Sequence, residues 1–455
     1  MDRKNQAARR RQFVKALAGA GIVGLAGCTG GGGDGGDGSG GGGGGNGSGG
    51  NGSGGGYSGD GGGGQASIRF VHISSFGGDA EDIVPMFNEQ SENVELSATS
   101  TPAESTSTRE YFVNQFVSQS SDFDTGMMDV IWPAEFVGQG WAAQVEDQNN
   151  YTEQMLETPV DAATVDGTLH AMPMFTDANA FYYRSDKLEE YGFEPPTTYM
   201  EVVNQAQQIM EQDDQIQNGY IWQGSADEGL TIMWLNWLWG LGGNVDRDGT
   251  IKVNSQKGVQ ALQHAVSLIH EYNVTPASVP ANGTDENRQT FQQGNTLFMR
   301  NWPYAVALMN EDGSPVKDNF SVAKMPKGEG NPNANNSCLG GWNVFVNEFS
   351  QNKAAAQEFA NFVATKEVQE NLALEHSRLP VRQDLYSQEY YDQAPLLEIF
   401  AEVLEQTQAR PSTSQYSTFS EIVYTECNKA LVQEKSPQQA LDDAQSRIDS
   451  KINSG

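Results

Sequence analysis

The chain has 455 residues and sets 59 Asp and Glu against 27 Lys and Arg, a formal charge of −32. That balance excludes a nucleic-acid partner, because phosphate binding needs a clustered positive surface. The length suffices for two or three lobes that enclose a cleft.

Charge is uneven along the chain: residues 1–28 sum to +5, residues 29–64 to −3 and residues 65–455 to −34. A body of −34 repels itself in dilute buffer, whereas at about 1 M salt the Debye length is only about 3 Å. Composition therefore predicts a salt-adapted protein.

Residues 1–27 read as an export signal and stand apart from the fold. RRRQFVK (9–15) precedes a weakly apolar stretch of about 12 residues, too short for a membrane span, which needs about 20. Arg10-Arg11 with the residues after it looks like a twin-arginine signal, and LAGC (25–28) looks like a lipobox. Together they imply cleavage before Cys28, a lipid on its sulfur, and a protein held at the outer face of the cytoplasmic membrane. Residues 28–64 then form anchor and tether. Between 30 and 64 lie 25 of the chain's 52 Gly, too few apolar residues for a core, and a mean reach of about 30–35 Å.

From residue 66 short apolar runs alternate with amphipathic helices, the pattern of a layered α/β fold. IRFVHI (68–73) reads as a strand, DAEDIVPMFNEQ (79–90) as a helix, VELSA (94–98) as a strand and TREYFVNQFVSQ (108–119) as a helix. DVIW (129–132) is expected as a third, buried strand, followed by strands at 169–175 and 180–184. Thr198 caps a helix through EVVNQAQQIM, GYIWQ (219–223) returns as a strand, and IMWLNWLWGLGG is an apolar helix whose Trp234, Trp237 and Trp239 belong to the core. Beyond about residue 350 the pattern is almost wholly helical.

Cys338 and Cys427 are the cysteines of the body, open either to pairing or to separate burial. The five His are scattered without metal-ligand spacing, so no metal and no cofactor is expected. The chemistry candidates are instead carboxylates and aromatics at element ends. Asp129 and Asp177 can each accept up to four hydrogen bonds and so grip two neighbouring hydroxyls, or act as turn caps. Two such carboxylates equally suit the acid and base of a glycoside hydrolase. Trp302, Tyr304 and Trp342 stand in Gly, Pro or Asn contexts, where an aromatic face can pack on the C–H face of a sugar ring.

At these residues a family resemblance emerges. MPMFTDANAFYYRSDKLEEYGFEPPTTYMEVVNQA (172–206), GYIWQGSADEGL (219–230), FQQGNTLFMRNWPYA (291–305), PKGEG (326–330), LGGWNVFV (339–346) and SRLPVR (377–382) are similar, in this order, to the sugar-binding proteins of ABC importers, trehalose/maltose branch. The resemblance covers nearly all of 66–455. It implies a two-lobed periplasmic-binding-protein-like fold with three interlobe crossings and a helical C-terminal part. Lobe 1 would comprise 65–177 and about 304–346, and lobe 2 about 178–303 and 347–455. It also implies a monomer that closes like a hinge on a sugar and delivers it unchanged to a membrane permease. By motif, Asp129 and Asp177 would hold sugar hydroxyls, Trp302 and Tyr304 would form a stacking wall, Gly341 and Trp342 would close the other side, and Arg378 and Arg109 would donate to sugar oxygens. Phe175 stands where the branch often has Tyr, and the loop SSFGGDAED (74–82) matches poorly, leaving Asp79 and Glu81 without an assigned role. A tethered hydrolase or a binder of another polar solute remains as the alternative, although the acidic body disfavours an anionic ligand.

Overall fold

The computed structural model describes residues 65–247, 250–411 and 413–454. The export signal, Cys28 and the tether lie outside the described residues.

The first lobe begins with β1 (Ala66–Ile73), α1 (Gly77–Gln90), β2 (Val94–Thr101), α2 (Ser105–Val117) and β3 (Thr125–Asp129). Phe70–Ile73 is buried without alternation because helices cover both faces of the sheet, where β1 runs parallel between β2 and β3. The third strand lies earlier than expected. It ends at Asp129, and Val130–Trp132 turn into a short helix because Pro133 at its start sets a helical φ and needs no donor. All eight residues of β4 (Ala171–Ala178) are buried, and only Asn179 separates it from β5 (Ala180–Arg184). At Asn179 the chain passes from the first sheet to the second.

The second lobe continues with α3 (Tyr199–Gln212), α4 (Glu228–Gly240), α5 (Gln256–His270) and α6 (Thr284–Gln292). Thr198 caps α3 through a full capping box with Glu201. Every residue of α4 is buried, its three Trp included. The strands of this lobe are β5, β6 (Asn218–Ile221), β7 (Thr296–Asn301) and β8 (Phe320–Ala323), in the order β8-β5-β7-β6.

β9 (Ser337–Val346) carries the chain back: Cys338 packs in the second core, and Trp342, Val344, Phe345 and Val346 in the first. α7 (Lys353–Phe362) and α8 (Lys366–Glu375) belong to the first lobe. The third passage lies near Leu379, Val381 and Leu385, which alternate between the cores. α9 (Pro395–Leu404), β10 (Thr407–Gln408), α10 (Tyr416–Leu431) and α11 (Pro437–Lys451) complete the second lobe, with α10 packed on α4.

Two lobe boundaries drawn from the sequence need correction. Residues 305–325 pack in the second core, because β8 pairs antiparallel with β5, Phe320 opposite Arg184. Residues 355–372 pack in the first, where Phe359 of α7 covers Phe70 of β1 at 4.9 Å. Cys338 and Cys427 are separate, buried, free thiols.

Candidate functional site

β9 lies between β3 and β4 and sets the geometry of the cleft. Its antiparallel register places Trp342 opposite both Asp129 and Phe175, Gly341 opposite Thr176, and Gly340 opposite Asp177. Both glycines are required. Gly341 has φ +136°, and a Cβ there would stand 2.7 Å from the Phe175 carbonyl oxygen; a Cβ on Gly340 would stand 2.7 Å from the Trp302 ring. The strand thus lets Trp302, which follows β7 in the other lobe, close on the sheet.

These residues surround a cavity with about 670 Å³ of empty space, open solvent at its mouth included. Asp129, Asp177, Trp302, Tyr304, Gly341, Trp342 and Arg378 all line it. Arg109 does not. Its guanidinium is committed to Glu135 in the first lobe, Nε donating at 2.9 Å, so the expected contact with a sugar oxygen is not formed by this side chain.

Most charges in the cavity are already paired. Arg378 donates from Nε and Nη2 to the two oxygens of Asp79 at 2.8 and 3.0 Å, and from Nη2 to the Ser75 carbonyl at 2.7 Å. Its flat group also lies 4.8 Å from the Phe175 ring and 5.1 Å from Tyr304. Asp79, without a role in the sequence reading, is therefore the counter-ion of Arg378. Asp129 accepts from Ser105 at 2.8 Å, from the Ile131 N–H at 3.3 Å and from Arg410 at 3.0 Å. Arg410 reaches Glu228 with its other Nη, also at 3.0 Å, and Glu228 takes further bonds from Tyr416 and Ser420.

Asp177 differs. Its Oδ1 is buried with no partner, and burial pushes the carboxyl up to about 7, against the opposing pull of Arg378. Glu104 lies across the cavity, where burial and the neighbouring Asp227 push its carboxyl up to about 8 while it accepts from the Thr284 N–H at 3.2 Å. Tyr304 donates to Asp285 at 2.9 Å. Trp302 rests on the guanidinium of Arg300, 4.3 Å from the ring centroid, and its carbonyl accepts from Tyr182 at 2.6 Å.

Sequence reasoning missed Arg410, Glu228 and Glu104. Glu228 carried a signal, an acidic residue at the first position of an otherwise apolar helix. Arg410 carried none, since its partners lie 281 and 182 residues away.

A family model described as bacterial extracellular solute-binding protein matches residues 72–370. A Deinococcus radiodurans protein named a probable ABC transporter-binding protein is 35% identical over 352 residues, 75% of this chain and 82% of its own length. The mannitol-binding protein of Pseudomonas aeruginosa is 24% identical over 65% of this chain and 70% of its own. Maltose-bound T. maritima MalE3 superposes with a TM-score of 0.80 at 31% identity, covering 85% of this chain and 100% of that one. The similarity is to binding proteins of transporters, not to enzymes, and the hydrolase alternative is set aside.

Proposed function

The chain belongs to the bacterial extracellular solute-binding proteins, and from that premise we propose that it captures an uncharged sugar, a disaccharide such as trehalose or maltose or a single glucose, for an ABC importer. One observation carries this reading. The fixed charges of the cavity satisfy one another, Arg378 with Asp79 and Arg410 with Asp129 and Glu228. What is left for a ligand is the ring faces of Trp302, Tyr304 and Trp342, the unpartnered oxygen of Asp177 and the Glu104 carboxyl, which has no cation partner. A neutral, hydroxyl-rich ring fits that remainder, because its C–H face packs on aromatics while each buried hydroxyl finds a partner.

Calorimetric titration with trehalose, maltose, glucose and mannitol tests it. One of the three sugars binds at about micromolar affinity or better, near −8 kcal/mol, and is recovered intact. Failure of the three sugars to bind, binding of mannitol alone, or recovery of cleaved sugar overturns the reading.

The same proposal includes anchoring through Cys28 and adaptation to salt, on the lipobox and the −34 body. Cys28→Ser then moves the protein from the membrane fraction to the soluble one, and the unfolding temperature climbs from about 0.1 to 3 M salt. Unchanged fractionation, or a flat melting curve, removes the corresponding part.

A further inference from the structure

Arg410 occupies an asymmetric position between the lobes. Everything that fixes it belongs to the second lobe: Glu228 at the start of α4 takes its Nη1 at 3.0 Å, and the Tyr416 ring of α10 lies 5.8 Å from its guanidinium carbon. Glu228 is itself held by Tyr416 and Ser420 of the same lobe, so the anchor stays put when the lobes part. The one first-lobe group it bonds is Asp129, whose Oδ1 accepts from Nη2 at 3.0 Å. Both ends of this pair are buried, with side chains 3% and 8% exposed. Three hydrogen bonds also cross the cleft, none with an opposite charge: the Thr284 N–H to Glu104 at 3.2 Å, the Glu228 N–H to Thr106 at 3.3 Å, and Ser417 to Glu135 at 2.9 Å.

We propose that Arg410 is the positioning residue of capture: carried rigidly by the second lobe, it seats on Asp129 as the cleft closes and holds the lobes together over the ligand. The proposal rests on the sugar-capture reading for its ligand and on the geometry alone for closure. An ion pair that forms only on closure adds to the lifetime of the closed state and leaves encounter unaffected, so its loss appears in the release rate.

The test uses Arg410→Gln, Arg410→Lys, Asp129→Asn and the Gln/Asn double variant. Lysine keeps the charge but cannot fork between two carboxylates. Small-angle scattering reads closure: on saturation with ligand the parent contracts to the closed structure, and each variant contracts less. With the sugar found by titration, each single variant releases it at least tenfold faster with an association rate within about threefold of the parent, and the double variant is no worse than the singles. Identical contraction of parent and variants at saturating ligand overturns the proposal whatever the ligand proves to be. Additive losses in the double variant overturn the pairing even if closure changes. If no sugar binds, the capture reading fails separately, and the same scattering comparison is made with the solute that does bind.

Discussion

Arg378 and Arg410 face the same cavity, are both almost wholly buried, and are held in opposite ways. Arg378 finds its anion and its carbonyl, Asp79 and Ser75, within the first lobe, and the rings of Phe76 and Phe175 in that lobe flank it. Arg410 finds one anion in each lobe. A buried charge robbed of its partner costs several kcal/mol only while it stays buried. For Arg378 the pair is part of a wall and can be relieved only by unfolding that wall. For Arg410 it is part of a motion, and opening the cleft returns the guanidinium to water. Identical chemistry thus serves stability in one place and closure in the other.

The largest expected effect follows directly. Asp79→Ala strands Arg378 inside the first lobe and lowers unfolding stability by about 3–5 kcal/mol, the usual cost of breaking a buried pair from one side. Asp129→Ala, by contrast, lowers it by less than about 1 kcal/mol, because the cleft opens instead. Denaturant melts of the two variants measure both numbers. Equal losses would break the comparison.

Asp177 sharpens it with a carboxyl that has neither kind of pairing. Burial raises it from 3.8 to about 7, so the folded protein keeps a proton that the unfolded chain surrenders near pH 4. The corresponding stability is present in full below about pH 4 and is lost as pH rises to about 7. Above that it is flat, with a total change on the order of 4 kcal/mol. Asp177→Asn has no proton to lose, so its stability relative to the parent should improve across that window and no further. Melts at pH 4, 7 and 9 test the sign; a constant difference between parent and variant would mean that Asp177 is charged throughout.

Much of this was legible before any coordinates, and the limits are physical. Local signals marked the Thr198 capping box and the apolar helix around Trp234. The ordered sequence blocks brought Asp177, Trp302, Tyr304, Gly341, Trp342 and Arg378 to one cavity. Asp129 was found but not its partner, since Arg410 meets it from 281 residues away and no periodicity encodes such a pair. Arg109 was misplaced for the same reason: an Arg on α2 gives no sign of whether it turns to the cleft or to Glu135. The lobe boundaries failed where the chain crosses, because residues 305–325 and 355–372 are equally apolar and only sheet pairing decides which core each joins.

The smallest expected effect concerns a third guanidinium, Arg300, which makes no direct ion pair among the described residues. It is fully buried, all three of its nitrogens lack a partner, and burial pulls it down to about 10. The ring of Trp302 covers it at 4.3 Å, supplying a π face where the other two arginines have carboxylates. Trp302 therefore has two tasks, to cap Arg300 behind and to meet the ligand in front, and two substitutions separate them. Trp302→Phe keeps an aromatic face for both and should bind sugar within about threefold of the parent. Trp302→Leu keeps apolar cover without a ring face and should weaken binding about tenfold, or 1.4 kcal/mol. Titration of both folded variants decides between them: if Leu binds as well as Phe, the indole serves Arg300 alone and the stacking wall must be sought at Tyr304 or Trp342.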